Sequence, residues 1–375
     1  MHMKRIVCLI SLTVIIGLVF PGYADELVDI AAIYALTGAA AEANAHALKG
    51  VGWAVDEINR QGGILGRAIR LRVIDNQSTP IGATLAARQA AELGVLAIVG
   101  PDWSSHSLAV ARVAQPFGIP MITSLSTNPQ VTRIGNYIFR ICFTDDFQGK
   151  VIANFAHLEL GAATACIFVD VTSDYSLKLS EIFRRHFEQL GGQVLLELEY
   201  KLKQQHFDDQ LKQLAKVDPD AIFIPGHDES GFIAGKIQDA GISAFLIGGD
   251  GWSAPSFFKK GGYRLKQGFY TAHWSQTLSN ERSKAFVEKY NIRPDSVEDN
   301  IALGYDAMMV LADAMSRSKN LDRHSIRDAI EDTKAFQGVT GIINFNDYGD
   351  PIKGIVVMEI REGKPRYLKT LKPLR

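Results

Sequence analysis

Strand-like and helix-like apolar patterns alternate along most of this chain, and the alternation restricts the fold more than any other feature. Val28 to Leu36 is a near-continuous apolar run that reads as a strand. Leu48, Val51, Val55 and Ile58 follow at steps of three and four, so they share one helix face. Gly62-Gly63 stops that helix. Ile69 to Asp75 alternates with period two, as a strand does, and Thr79-Pro80 supplies an N-cap and a first-turn proline for a helix reaching Gly94. A strand near Val95–Val99, a helix from Ser105 to about Phe117 and a strand at Ile119–Thr123 complete a βαβαβα series. Such connections build a parallel sheet covered on both faces.

The pattern then restarts. Tyr137–Phe143 is extended, and Phe147–Leu160 reads as a helix with Val151, Ile152, Phe155 and Leu158 inward. Strands at Thr164–Asp170, Val194–Tyr200, Ala221–Ile224 and Ala244–Ile247 alternate with helices ending near Leu190, Ala215 and Ala240. Three further helices (Asn280–Tyr290, Asn300–Ser316, Ser325–Thr333) precede two strands near Ile355–Ile360 and Arg366–Leu371. The chain has 375 residues, too many for one ordinary core. No low-complexity linker separates the units. Two α/β domains joined by extended crossings, with a cleft between them, are expected.

The N-terminus reads as an address. Lys4 and Arg5 precede an apolar run from Ile6 to Phe20, and Gly22-Tyr23-Ala24 offers small residues for cleavage after Ala24. The run is shorter than the roughly 20 residues of a membrane span, and Cys8 comes too early for a lipid-attachment motif. A soluble exported protein is expected. Lys and Arg number 40 against 41 Asp and Glu, which favours neither nucleic acid nor an anionic membrane. Beyond the leader, Cys142 and Cys166 lie in apolar surroundings, where a disulfide and two buried thiols both fit. No Cys-x-x-Cys or His-Glu-x-x-His spacing occurs, so no metal site is expected, and no cofactor is called for.

Two polar loops carry the functional signal. Val95–Val99 leads into Gly-Pro-Asp-Trp-Ser-Ser105, and Pro120–Thr123 leads into Ser-Leu-Ser-Thr-Asn-Pro129. Open α/β sheets bind ligands beyond the carboxyl ends of their strands. Ser104, Ser105, Ser126 and Thr127 would there hold a small anion with hydroxyls and free N–H groups. The plain alternatives are an N-cap for Ser104 or Ser105 and an ordinary turn for Thr127. Neither loop contains a nucleophile–base pair, no Gly-x-Ser-x-Gly elbow occurs, and no Gly-x-Gly-x-x-Gly follows the first strand. Holding a ligand fits better than transforming one.

An ordered set of short stretches then resembles the periplasmic Leu/Ile/Val-binding proteins, the substrate-binding components of branched-chain amino acid ABC transporters with the type I fold. The set runs from Ala35-Leu-Thr-Gly38 and Ala54-Val-Asp-Glu-Ile-Asn-Arg-Gln-Gly-Gly-Ile-Leu-Gly66 through Ile98-Val-Gly100, Gly118-Ile-Pro-Met-Ile122 and Asp145-Asp-Phe-Gln-Gly149. It continues to Gly304-Tyr-Asp-Ala307 and Gly338-Val-Thr-Gly341. The resemblance implies two parallel-sheet α/β lobes joined by three hinge crossovers, near Ile141–Asp145, Tyr270–Ser275 and Asn344–Asp347. The lobes would comprise residues 25–143 plus 274–344 and 144–273 plus 345–375, after a signal peptide of residues 1–24. It implies hinge closure on a small amino acid or related carboxylate, handover to an ABC permease, a periplasmic location, no catalysis and a monomer. A ligand-sensing module for a separate receptor is the alternative reading, and an exported hydrolase a further one.

The resemblance also implies individual roles. Ser104 matches the hydroxyl that binds the ligand carboxylate, Leu125 a residue acting through its backbone, and Thr127 one offering hydroxyl and N–H together. Asp250 matches the acidic partner of the ligand ammonium, although an aspartate between glycines is as readily a turn. Asp145 lies in a crossover, and Tyr175 matches a cleft aromatic. The departures are Ala43 and His227 where the family has aromatics, Asp250 in place of a longer Glu, and Trp103 beside Ser104. Trp103 either fills the volume lost at Ala43 or packs in the core. Trp252 and Trp274 are aligned near the cleft.

Overall fold

A computed structural model describes residues 27–278, 280–293, 296 and 299–372. The leader, with its cleavage site after Ala24, lies outside the described residues. Among these, no helix is long and apolar enough to cross a membrane.

The strands are β1 (Val28–Tyr34), β2 (Ile69–Asp75), β3 (Ala97–Val99), β4 (Met121–Thr123), β5 (Ile138–Arg140), β6 (Thr164–Asp170) and β7 (Gln193–Tyr200). They continue with β8 (Ala221–Ile224), β9 (Phe245–Gly248), β10 (Gln267–Ala272), β11 (Phe336–Gly338), β12 (Gly341–Ile343), β13 (Ile355–Arg361) and β14 (Lys364–Leu371). The helices are α1 (Ala41–Arg60), α2 (Pro80–Glu92), α3 (Ser104–Ala114), α4 (Asp145–Asn154), α5 (Asp174–Gln189) and α6 (Asp208–Val217). After them come α7 (Ser230–Asp239), α8 (Pro255–Lys260), α9 (Glu281–Tyr290), α10 (Asp299–Arg317) and α11 (Arg323–Glu331).

The first sheet is fully parallel in the order β2-β1-β3-β4-β5. Apolar clusters cover both of its faces. The second sheet runs β14-β13-β10-β9-β8-β6-β7 and is likewise covered on both faces. Its β6–β10 portion is parallel, whereas β13 pairs antiparallel with β10 and β14. Only two residues join β13 to β14. Both Glu362 and Gly363 have positive φ, +48° and +70°, the geometry of a tight hairpin that enforces antiparallel pairing.

The chain passes between the sheets after β5, after β10 and after β12. Tyr270 and Thr271 belong to β10, so the second passage begins only after Ala272. On its return, α10 packs against α1 through two glycines. A Cβ on Gly50 would lie 2.0 Å from the Ile301 carbonyl oxygen, and one on Gly304 would lie 2.1 Å from that of Ala47.

Two expectations change and one alternative is decided. Leu158 does not face inward; it is 65% exposed. The helix widens to a π-helical turn over Phe155–Glu159, which shifts the phase so that Phe155 and Ala156 take the buried positions. Trp252 and Trp274 do not line the cleft. Trp252 stacks on Phe257 and donates to the Ile224 carbonyl, while Trp274 donates to Ser283 within the first lobe's core. Cys142 and Cys166 are both buried and free.

Candidate functional site

Both polar loops emerge from the carboxyl ends of adjacent parallel strands, β3 and β4. Helix α3 begins at Ser104, and its cap position is Trp103, which supplies no side-chain cap. Ser104 and Ser105 are therefore not N-caps. Ser104 Oγ accepts from Asn128 N at 3.3 Å, and Ser105 Oγ accepts from Asp174 N of the second lobe at 3.3 Å.

The second loop is tied to the first from inside. The Ser126 hydroxyl donates to the Asp102 carbonyl at 2.6 Å and lies 2.6 Å from Ser107 Oγ. Ser124 donates to Asp102 Oδ1 at 2.6 Å. Burial raises the Asp102 carboxyl to about 7, with the Ser124 hydrogen bond acting in the opposite sense. The fully buried Arg140 holds the loop from below. Its guanidinium donates to the carbonyls of Ser126 and Asn128 and pairs with Asp350 at 2.6 Å. Leu125 is half-buried and packs on the first lobe's core. The Thr127 hydroxyl is buried with no partner, while its carbonyl accepts from Asp145 N at 2.9 Å.

Asp145 is the first residue of α4 and is completely buried, and both of its carboxylate oxygens lack a hydrogen-bond partner. Burial, and secondarily the Asp250 carboxylate, push its carboxyl well above the usual range, against the pull of Thr127 and Arg140. Asp250 is held differently. Gln148 Nε2 donates to Oδ1 at 2.8 Å, and His273 Nε2 lies 3.1 Å from Oδ2. Gln148 Oε1 in turn accepts from Asp250 N at 2.9 Å and from the Thr271 hydroxyl at 2.9 Å. Tyr175 Oη accepts from Gly251 N at 3.3 Å. Burial, with Asp250 and Asp145 nearby, raises its phenol well above the usual value. A Cβ on Gly249 would fall 2.2 Å from that Oη, so the run Gly248-Gly-Asp-Gly251 lets Tyr175 and Gln148 close on Asp250.

The lobes meet directly over these groups. Trp103 stacks on His227 with ring centres 4.0 Å apart and planes at 2°. Asn128 Nδ2 donates to the Asp174 carbonyl at 2.9 Å, and Lys259 pairs with Glu42 at 3.0 Å. The clamp is closed. Trp103 also packs with Ala35 and Ala40, close to Ala43 in sequence.

Of the residues singled out from the sequence, Trp103 meets His227 between the lobes, Ser105 meets Asp174, Thr127 lies against Asp145, and Tyr175 reaches the Gly251 N–H beside Asp250, while Leu125 packs on the first lobe's core. Thr127 and Asp145 keep unpartnered atoms, whereas Ser126 is engaged within its loop. Sequence reasoning missed Gln148, His273, Asp102 and Arg140. Gln148 was legible, since it lies three residues after Asp145 and so on the same helix face. His273 and Arg140 carry no local pattern, and only the meeting of distant segments gives them partners.

A two-lobe α/β clamp with unpartnered polar groups buried where its lobes meet is the architecture of the solute-binding proteins. The chain matches the periplasmic binding protein family model over residues 28–365 and belongs to that family. It is 26% identical over 344 residues to the Leu/Ile/Val-binding protein BraC3 of Rhizobium johnstonii, covering 91% of this chain and 93% of that one. Among solved structures, it resembles the leucine binding protein LivK of Thermotoga maritima with 36% identity and a TM-score of 0.88, over 92% of this chain and 99% of that one. The branched-chain amino acid transporter substrate-binding protein LivJ of Streptococcus pneumoniae, solved with isoleucine, gives 28% identity and a TM-score of 0.86, over 93% and 100%.

Proposed function

We propose that this protein is exported to the periplasm, captures a small amino acid between its lobes by hinge closure, and delivers it to an ABC permease. One observation carries the reading: the Asp145 carboxylate, fully buried with both oxygens bare. An unpartnered buried carboxyl resists ionisation, so the site suits a cationic group that arrives with the ligand and stabilises the ionised form. The ligand ammonium would lie against Asp145, with Asp250 behind it fixed by Gln148 and His273. Beside Asp145, the Thr127 hydroxyl, together with Ser104 Oγ and the N-terminal N–H groups of α3, suits a carboxylate. Leu125, Ser105 and Ser126 shape the loops that present these groups. Tyr175, Trp103 and His227 would face the remainder of the ligand. Hinges at the three passages between sheets would allow opening, with the lobes divided at residues 143/144, 273/274 and 344/345. Delivery to a permease is supported by the likeness to LivJ, a branched-chain amino acid transporter substrate-binding protein.

Calorimetric titration with a panel of L-amino acids tests this. Saturable one-to-one binding without any change to the ligand is expected. Turnover of a panel member, or no binding by any of them, overturns the reading.

A further inference from the structure

The first turn of a helix leaves backbone N–H groups without helical partners. In α5 of the second lobe, the cap residue Ser173 accepts from Ser176 N at 3.3 Å. The N–H of the first helical residue, Asp174, donates instead to Ser105 Oγ of the first lobe at 3.3 Å. The Asp174 carbonyl accepts from Asn128 Nδ2, also of the first lobe, at 2.9 Å. That amide is oriented from its other end, because Asn128 Oδ1 accepts from Gln130 N at 2.9 Å. Both polar loops, one after β3 and one after β4, thus converge on the backbone of a single residue across the cleft. The side chain of Asp174 is exposed. Ser104 and Ser105 open α3 and face different partners. Ser104 Oγ accepts from Asn128 N within the first lobe, whereas Ser105 Oγ reaches the second. A further polar contact between the lobes, Lys259 with Glu42, joins side chains that are 74% and 48% exposed, and such pairs contribute little.

We propose that Ser105 and Asn128 form a latch that caps α5 from the opposite lobe only when the clamp closes, so that Ser105 governs how firmly the clamp stays shut and does not touch the ligand. The proposal rests on the amino-acid clamp described above and assigns these two residues to its closure. In the open clamp, water solvates the Asp174 N–H; in the closed clamp, the Ser105 hydroxyl replaces it. That exchange of partners gives a modest net gain. The latch grips backbone, so it is indifferent to the ligand's side chain and changes the affinity for every amino acid by the same factor.

Asp174→Pro tests the latch, because it deletes the N–H and little else. Proline is favoured at the first helical position, and Ser173 before it already has the extended backbone that proline requires, with φ −116° and ψ 115°. Small-angle X-ray scattering follows compaction of the full-length mature protein as an equimolar mixture of the twenty common L-amino acids is added. Asp174→Pro should raise the half-compaction concentration about two- to tenfold, the factor that one neutral hydrogen bond commands. Asp174→Ala, which keeps the N–H, should leave it unchanged. Ser105→Ala should act like the proline variant and add nothing in the Asp174→Pro background. Additive effects would place Ser105 on the ligand and overturn the latch, as would an unshifted midpoint in folded Asp174→Pro. Hydrogen exchange gives a readout that does not need the proline variant. With the mixture bound, the Asp174 amide should exchange more slowly than in the empty protein, and Ser105→Ala should abolish that protection; protection that survives Ser105→Ala overturns the latch. Each of these failures leaves the amino-acid reading standing. Failure of the unaltered protein to bind any component of the mixture refutes that reading, and the latch with it.

Discussion

Asp145 concentrates the conflict in this molecule. Its carboxylate is buried, faces a second carboxylate, and has no hydrogen-bond partner on either oxygen. Stability is lowered there in the empty protein and regained when a cation enters. Asp145→Leu, which replaces the carboxyl by an apolar group of similar size, should therefore stabilise the ligand-free protein by about 1–3 kcal/mol, the size of an unmet buried polar group, while weakening amino-acid binding. Chemical denaturation and calorimetry on the same variant check both halves; a loss of stability would show that the carboxylate is structural. Protons offer a second readout. The raised carboxyl is protonated in the empty site over a range where an ordinary aspartate is charged, and an adjacent ammonium lowers it again. Binding should release protons, seen as a binding heat that varies with the ionisation enthalpy of the buffer. Proton uptake would contradict this.

At the scale of elements, the first lobe depends on a helix that joins it from far along the chain. Helices α1 and α10 approach backbone to backbone at Gly50 and Gly304. Gly304→Ala should cost about 1–3 kcal/mol, the usual range for overpacking. Gly52→Ala is the control, since nothing lies within 4 Å of a Cβ there and alanine is favoured over glycine by up to about 1 kcal/mol in a helix interior. Urea unfolding of the two variants should show opposite signs, and equal effects would show that the close approach at Gly304 is not what decides its cost. The periodicity that makes α1 a helix was legible, and so was the presence of α10. Their contact was not, because it joins segments about 250 residues apart in sequence. The same holds for Leu158. A single π-helical turn rotates its face outward, and nothing in the apolar spacing announces that turn.

At the scale of the whole molecule, the segments that pass between the sheets are tied to one another by buried charges. Arg140 of β5 pairs with Asp350, joining the first and third passages between sheets. The buried Lys353 donates to the Ile141 carbonyl at 3.2 Å and to Thr340, and burial lowers its ammonium to about 8. The pH dependence follows from several such groups. Burial raises Asp102 and Asp299 to about 7 and pushes Asp145 well above its ordinary value. The folded chain thus holds protons that the unfolded chain releases above about pH 4, and stability falls as pH rises through the raised values. His106 and His227, lowered by burial to about 4 and 3, act in the opposite sense. Their effect ends near pH 6.5, where the unfolded imidazole has lost its proton. Between about pH 6.5 and 8 the carboxyls dominate, so the ligand-free protein should melt at a higher temperature at pH 6.5 than at pH 8. A melting temperature that rises over this interval would mean that the carboxyls are not enclosed in solution.

Local chemistry in the sequence determined the strands, the helices, their parallel order and the two polar loops. Apolar periodicity, caps and glycines act over a few residues and leave their mark there. Those loops also carried Ser104 and Thr127 to the carboxyl ends of β3 and β4. Tertiary structure decided which polar groups remain unpartnered. Ser126 and Thr127 are neighbours of like chemistry, yet one is bonded within its loop and the other is left bare. It decided too that Trp103 and His227, from different lobes, meet face to face. Hydrogen-bond satisfaction and ring contact depend on what arrives from elsewhere in the chain, and that is fixed only when both lobes have folded and closed.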